Sequence, residues 1–281
     1  MNYFHNVGLM FVGIALLTSS PAAALTKPAP EVHTLAVPHI WEIPDGKWVP
    51  PWSGACEEVS VVMVERFYLK DKTAQFTPAQ TKAIVGPLFP WENKQFGSNI
   101  DTDATRTARM MNDFSSAEAT IVWNPTLAAI KDELRAGRPV ISMHYGYDMN
   151  NPRHRFRQGS SSYHVVVLAG FDDAKQEFLV NDSEFKDGRH NRYAYSTIMN
   201  SLHDFDHKTR KANGKPVVLF TSPKRLVKTA SDPKVYLVRN NTRFHIASMD
   251  VLRARRIELK NLEIISDSAL TQIPEGAAIT K

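Results

Sequence analysis

The sequence predicts an α+β fold, helices packed on an antiparallel sheet, and the order of its hydrophobic patterns carries that prediction. Candidate helices come first, over Cys56–Leu69, Thr77–Val85, Ala104–Phe114 and Thr126–Ala136. Short runs rich in β-branched residues follow, at Val140–Tyr145, His164–Ala169, Glu177–Asn181 and Val217–Thr221. Size and composition agree: 281 residues, 43% hydrophobic and 22% charged, suit one large domain with a small companion. They exclude general disorder, collagen-like repeats and a polytopic membrane protein.

Taken in chain order, residues 1–24 read as an export signal. An apolar run, Val7–Leu17, leads through Pro21 to Ala22-Ala23-Ala24, the small-residue pattern of a cleavage site. No Lys or Arg precedes Val7, so an uncleaved anchor is the alternative. An exported protein, periplasmic or extracellular, is the expectation. Residues 25–34, with Pro28 and Pro30, read as an extended lead-in, and the prolines of Val37–Pro51 favour irregular loop. Within the first helix Val59, Val62, Met63 and Phe67 share a face, and Glu57 and Glu58 suit the first turn. Gly137 ends the fourth helix, and Asp172-Asp173 marks a hairpin turn between two strands. The main domain is expected over 35–222, a linker over 223–231, and a small hairpin-helix unit over 232–281, with Asn240-Asn241 as its turn and a short helix at Asp250–Arg256. So small a unit has to lean on the main domain or a partner.

The net charge of +5 raises the question of a polyanionic partner. Basic and acidic residues balance between Leu25 and Ser222, so the excess lies after them, beginning with Lys224, Arg225 and Lys228. Arg253, Arg255, Arg256 and Lys260 read as a solvated helix face, with contact to wall polymers or lipid headgroups as the alternative. Arg153-His154-Arg155-Phe156-Arg157 is basic with one aromatic, but no nucleic-acid-binding signature accompanies it; it reads as a mobile loop that contacts substrate beside the site. No nucleic-acid partner is expected.

Cys56 is the sole cysteine, which excludes an intramolecular disulfide and a cysteine zinc cage. It opens a helix, where unpaired N–H groups favour a thiolate, while Glu57 and Glu58 oppose one, so activation needs a nearby imidazolium. His164 stands at the start of an apolar strand, and the hairpin after it returns to Asn181-Asp182. Matching parity lets Asp182 hold the imidazole while Asn181 points away. Cys56, His164 and Asp182 therefore form a nucleophilic set in principle. His144 is expected to pack within its strand, and His203, Asp204, Asp206 and His207 to lie in a solvated loop, their spacing matching no metal motif. No metal or organic cofactor is implied.

Several ordered motifs then resemble the C39-like cysteine peptidase family, in its exported bacterial branch: Val37-Pro38, Gly46-Lys47-Trp48, Gly54-Ala55-Cys56-Glu57-Glu58-Val59-Ser60, Tyr163-His164 through Gly170-Phe171-Asp172, and Asn181-Asp182. The resemblance runs from about Leu35 to Ser222, including Tyr193-Ala194-Tyr195 to Leu202-His203-Asp204. It implies a papain-like fold in which Cys56 attacks a carbonyl, His164 is general base and acid, and Asp182 orients it. The substrate class it implies is a peptide or amide bond; the expected export makes envelope peptides or wall cross-links natural substrates, with no side-chain preference encoded in the sequence. One position departs from the family pattern. Glu42 aligns where a glutamine donates to the oxyanion, and a carboxylate there costs on the order of 100-fold in rate. Three arrangements remain: a protonated Glu42, a shifted register with another donor, or a binding module for peptides or glycans. Transfer to an amine would use the same three residues. The tail, with Asp232–Val238 and Ile265–Leu270 followed by Ile273-Pro274, resembles a small module appended to many exported bacterial proteins.

Overall fold

Each predicted helix forms, and most have a start that the sequence specifies. The structure, a computed structural model, describes Met1, residues 30–158 and residues 162–281. The leader expected over 1–24 lies outside the described residues. The helices are α1 (Cys56–Tyr68), α2 (Pro78–Val85), α3 (Leu88–Phe96), α4 (Ala104–Phe114), α5 (Leu127–Arg135), α6 (Tyr195–Ser201), α7 (Met249–Ala254) and α8 (Asp267–Thr271). Thr77 and Gln80 close a capping box on α2, and the side chains of Asp103 and Thr126 accept the first free N–H groups of α4 and α5. Gly137 follows α5 at φ 76°, as its place predicts. Among the described residues, no helix is long and apolar enough to cross a membrane.

Seven strands build the main sheet: β1 (Val32–Thr34), β2 (Ala117–Trp123), β3 (Val140–Tyr145), β4 (Tyr163–Asp172), β5 (Glu177–Asn181), β6 (Asn191–Ala194) and β7 (Val217–Pro223). Their order is β2-β7-β3-β4-β5-β6, with β1 on β4, and every pairing is antiparallel. Helices on an antiparallel sheet are the α+β, papain-like arrangement expected. The central strand β4 is buried along its whole length, and α1 lies against it, with Ser60 Oγ donating to the Val165 carbonyl at 3.4 Å. The end of the presumed lead-in is ordered as β1. Its backbone comes so close that a Cβ on Gly170 would stand 2.2 Å from the His33 carbonyl oxygen. Beside this contact the β4–β5 register shifts between Leu168 and Gly170.

Residues 223–231 are not a linker. Leu226 and Val227 are buried on β8 (Arg225–Thr229), which joins β9 (Tyr236–Arg239), β10 (Thr242–His245) and β11 (Glu263–Ile265) in a second sheet, ordered β10-β9-β8-β11. Leu226 and Val227 pack into two different hydrophobic clusters on opposite faces of the strand, so no simple alternation marks it in sequence. Asn240 and Asn241 make the hairpin turn at φ 49° and 54°. This unit does lean on the main domain: Glu258 pairs with Arg66 at 2.8 Å, Arg239 with Glu118 at 2.8 Å, and Ser116 Oγ receives the Glu258 N–H at 2.8 Å. Arg256, read from sequence as part of a solvated face, is turned inward. Its guanidinium donates to the Ile84 carbonyl at 2.8 Å and reaches Glu65 at 3.4 Å.

Candidate active site

The antiparallel hairpin brings together what sequence separates. His164 lies near the start of β4 and Asp182 just past the end of β5, and His164 Nε2 donates to Asp182 Oδ1 at 2.9 Å with both side chains buried. That bond leaves Nδ1 as the nitrogen free for a nucleophile. Asn181 faces the other way, where its amide donates to the carbonyls of Val37 and Pro38 at 3.1 Å each. Beyond Asp182 the chain turns tightly, so that the Asp182 N–H meets the Gly188 carbonyl at 2.9 Å. A Cβ on Gly188 would stand 1.9 Å from the Asp182 carbonyl oxygen, so only glycine fits there.

Asp182 receives more donors than the sequence foretold. His154 Nε2 reaches Oδ2 at 2.9 Å, the Tyr193 hydroxyl donates to the same oxygen at 2.6 Å, and the Glu184 N–H reaches Oδ1 at 3.3 Å. His154 therefore does more than contact substrate. Its ring stacks on Phe185 with centroids 4.9 Å apart and meets His164 edge-on at 5.3 Å. Only its place in a basic loop marked it in sequence, which says nothing of a carboxylate 28 residues away. Burial works to raise the Asp182 pKa, but the His164 charge and the hydrogen bonds from both histidines hold the carboxyl far below its ordinary range. For His164, burial opposes the imidazolium, yet the Asp182 charge and hydrogen bond, with Glu42 and Glu184, lift the pKa to about 9.

Cys56 opens α1 and shares with His164 a cleft of about 330 Å³, whose walls include Glu42, Trp48, Arg155 and Phe156. The thiol is hydrogen-bonded to its neighbour: Sγ donates to Glu57 Oε2 at 3.0 Å, while Glu57 Oε1 accepts the Thr102 N–H at 2.6 Å. Burial pushes the thiol pKa well above its ordinary value, reinforced by the charges of Glu57 and Glu42 and opposed by a backbone hydrogen bond at Val165. The nucleophilic set is thus half assembled, with the imidazole and carboxylate joined and the cysteine parked on its neighbour.

Glu42 lies in this cleft, buried to 2% exposure, as its aligned position implies. Its Oε2 accepts the Ser183 hydroxyl at 2.8 Å, and its N–H bonds the Ser183 carbonyl at 3.0 Å, which pins the residue beside the Asp182 turn. Burial raises its pKa to about 7 against the pull of the His164 charge and the Ser183 hydroxyl. Behind Cys56, burial and the charge of Asp101 take Glu57 to about 8. Glu58 and Glu92 are both raised, mainly by burial. The two carboxyls face each other and share a hydrogen bond, and no other donor among the described residues reaches their oxygens.

His154, His164 and Asp182 offer ligand atoms within 4.8 Å of one another, close enough for one metal ion. Hydrogen bonds already occupy those atoms, each imidazole Nε2 being satisfied by the carboxylate. Two other histidines, His144 and His203, make structural hydrogen bonds. His144 bonds Ser201 and Ser142 at 2.8 Å each within the sheet, as expected. His203 bonds the Gly214 carbonyl at 2.9 Å, and Asp204, far from solvated, accepts the Ala104 N–H at 2.8 Å at the start of α4.

Comparison with known proteins accords with this geometry. The family model described as Peptidase_C39 like family matches residues 35–213, well over half of the sequence, and the chain belongs to that family. No curated protein matches. Among solved structures, a protein from Bacillus anthracis described as a C39-like peptidase is similar at 12% identity and a TM-score of 0.41, covering 68% of this chain and 97% of its own.

Proposed function

We propose that this member of the Peptidase_C39 like family is a cysteine peptidase or amidase acting by acyl transfer through Cys56, His164 and Asp182. The buried 2.9 Å pair of His164 and Asp182, lining the same cleft as a cysteine at a helix start, supports this reading most directly. Activation is a rotation of Sγ from Glu57 toward His164 Nδ1. It exchanges a carboxyl neighbour for an imidazolium, and the thiol proton leaves to solvent. The thiolate then attacks the carbonyl carbon, and His164 protonates the departing amine as the C–N bond breaks. Water enters, gives its proton to His164 and opens the thioester, which releases the acid and restores Cys56.

Glu42 sets the pH range. As a neutral carboxyl it donates to the oxyanion together with the Cys56 N–H; as a carboxylate it repels the same charge. With a pKa of about 7, the competent form prevails on the acid side of neutrality. The leader pattern over residues 1–24 extends the proposal to an exported protein acting on envelope peptides. Mass determination of the mature chain tests that part, a start at Leu25 being the expected result.

Turnover of a panel of fluorogenic peptide amides, followed from pH 5.5 to 8.5, tests the activity itself. Release that disappears in both Cys56→Ala and His164→Ala is the expected outcome, and added amine separates hydrolysis from transfer. A second reading, a cleft that binds peptides or glycans without cleaving them, is favoured by the thiol's hydrogen bond to Glu57. Binding of the panel without turnover at any pH would establish it in place of the first.

A further inference from the structure

A second cleft, about 1000 Å³ and so roughly three times the volume of the Cys56 cleft, lies where the C-terminal unit meets the main domain. Its charge is one-sided. Lys70 and Lys72 after α1, Arg189 after the Asp182 turn, Lys224 and Arg225 at the β7–β8 junction and Lys260 before β11 line it, against two carboxylates, Asp71 and Glu263. Glu263 is taken by Arg225 at 3.2 Å. Among the described residues Lys70, Lys72, Arg189 and Lys260 make no ion pair, and all four are exposed. Lys224 is 3% exposed and donates to the Ser115 carbonyl, and burial lowers its pKa to about 7, so the exposed four carry the charge of the cleft. Between the cations, Phe67, Pro223 and Leu262 supply apolar surface. The cleft thus gathers much of the positive excess that follows Ser222, and joins it to cations of a main domain that is otherwise charge-balanced.

We propose that this cleft binds an acidic peptide segment in which carboxylate side chains are interspersed with apolar ones. Unpaired cationic side chains lining the cleft complement carboxylates, and at low salt they steer such a chain toward it. The apolar surface between them favours a peptide over a phosphate polymer, whose backbone has nothing to bury there. Lysine dominates the rim, and its ammonium is a point charge without the fixed fork of a guanidinium. The site therefore selects for charge and tolerates variation in sequence. It stands apart from Cys56, so the proposal holds whether or not the first cleft is catalytic.

The test is fluorescence anisotropy of a labelled Glu-Leu-Glu-Glu-Phe-Glu-Glu peptide on the full chain carrying Cys56→Ala, which removes cleavage from the readout. Binding is expected at low salt and about tenfold weaker with Lys72→Glu and Lys260→Glu together. Lys175→Glu, a charge reversal outside the cleft, is expected to leave it nearly unchanged. Should the double variant unfold, Arg189→Gln at an exposed position is expected to weaken binding about threefold. Equal affinity for the peptide with Lys in place of Glu, or equal losses from Lys175→Glu and the cleft variants, would overturn the proposal. So would binding of polyphosphate with none of the peptide, an outcome that assigns the cleft to phosphate polymers.

Discussion

The two walls of the Cys56 cleft both bury carboxyl groups, and they treat them in opposite ways. On the sheet side, Asp182 receives His164, His154, Tyr193 and a backbone N–H, and its carboxyl is ionised. On the helix side, Glu57 has one N–H and the Cys56 thiol, Glu58 and Glu92 have only each other among the described residues, and all three hold their protons beyond the usual range. Residue type and burial are alike on the two walls. The number of donors, and the imidazolium among them, decides which carboxyl is charged. Glu42, with one hydroxyl donor and an imidazolium nearby, stands between them near neutrality.

Removing the charge on the sheet side has the largest expected effect. Asp182→Asn leaves burial as the main influence on His164, so its pKa drops from about 9 to below its ordinary 6.5, and turnover falls on the order of 1000-fold at pH 7. An NMR titration of the imidazole together with peptide turnover checks both parts. An unchanged imidazole pKa would show that Asp182 does not set it.

Next in size is Glu42→Gln, which puts a permanent donor between the walls. Turnover is expected to rise about tenfold at pH 8, where about a tenth of Glu42 is still neutral, and to change little at pH 5.5, where Glu42 is already neutral. The decline above pH 7 should vanish with it. A variant that loses activity equally at both pH values would show that the carboxyl, charged or not, is required.

On the helix side the effect is smaller and appears in stability. Because Glu57 keeps its proton up to about 8 when folded, against 4.5 ordinarily, its stabilising contribution is full below pH 4.5 and lost as pH rises through 8. Glu57→Gln should therefore raise the melting temperature by several degrees relative to the parent at pH 9, and by less at pH 5. Thermal melts at the two pH values check this; a difference that stays constant would mean the carboxyl is not protonated in the fold.

The smallest change is Tyr193→Phe, which takes one of four donors from Asp182. A cost of about 1 kcal/mol is expected, or roughly fivefold in turnover, with the His164 pKa nearly unmoved. Urea denaturation and kinetics measure it, and a loss as large as that of Asp182→Asn would mean the donors do not act independently.

What was legible in the sequence was local or paired by a short hairpin. Capping residues and periodicity placed α1, α2, α4 and α5, and the short return from His164 placed Asp182. The element α3 was missed; Pro87 and Pro90 frame its first turn, where proline is tolerated. The strand β2 was missed because its partner β7 lies about a hundred residues onward. Within the site, contacts between distant segments stayed hidden: His154 on Asp182, Ser183 on Glu42, and Glu58 facing Glu92 from another helix. The orientation of the thiol was equally invisible, since a cysteine at a helix start is placed the same way in sequence whether its Sγ points to an imidazole or to its neighbour.

The central claim is that Cys56 leaves Glu57 to form a thiolate–imidazolium pair with His164. Its most direct test is the rate of iodoacetamide alkylation of Cys56 from pH 5 to 10, in the parent and in His164→Ala. The account expects rapid alkylation that persists below pH 7 in the parent and collapses in the variant. Rates that follow the titration of a protonated thiol with a pKa of 9 or higher in both proteins would contradict it, because the cysteine would then never leave Glu57.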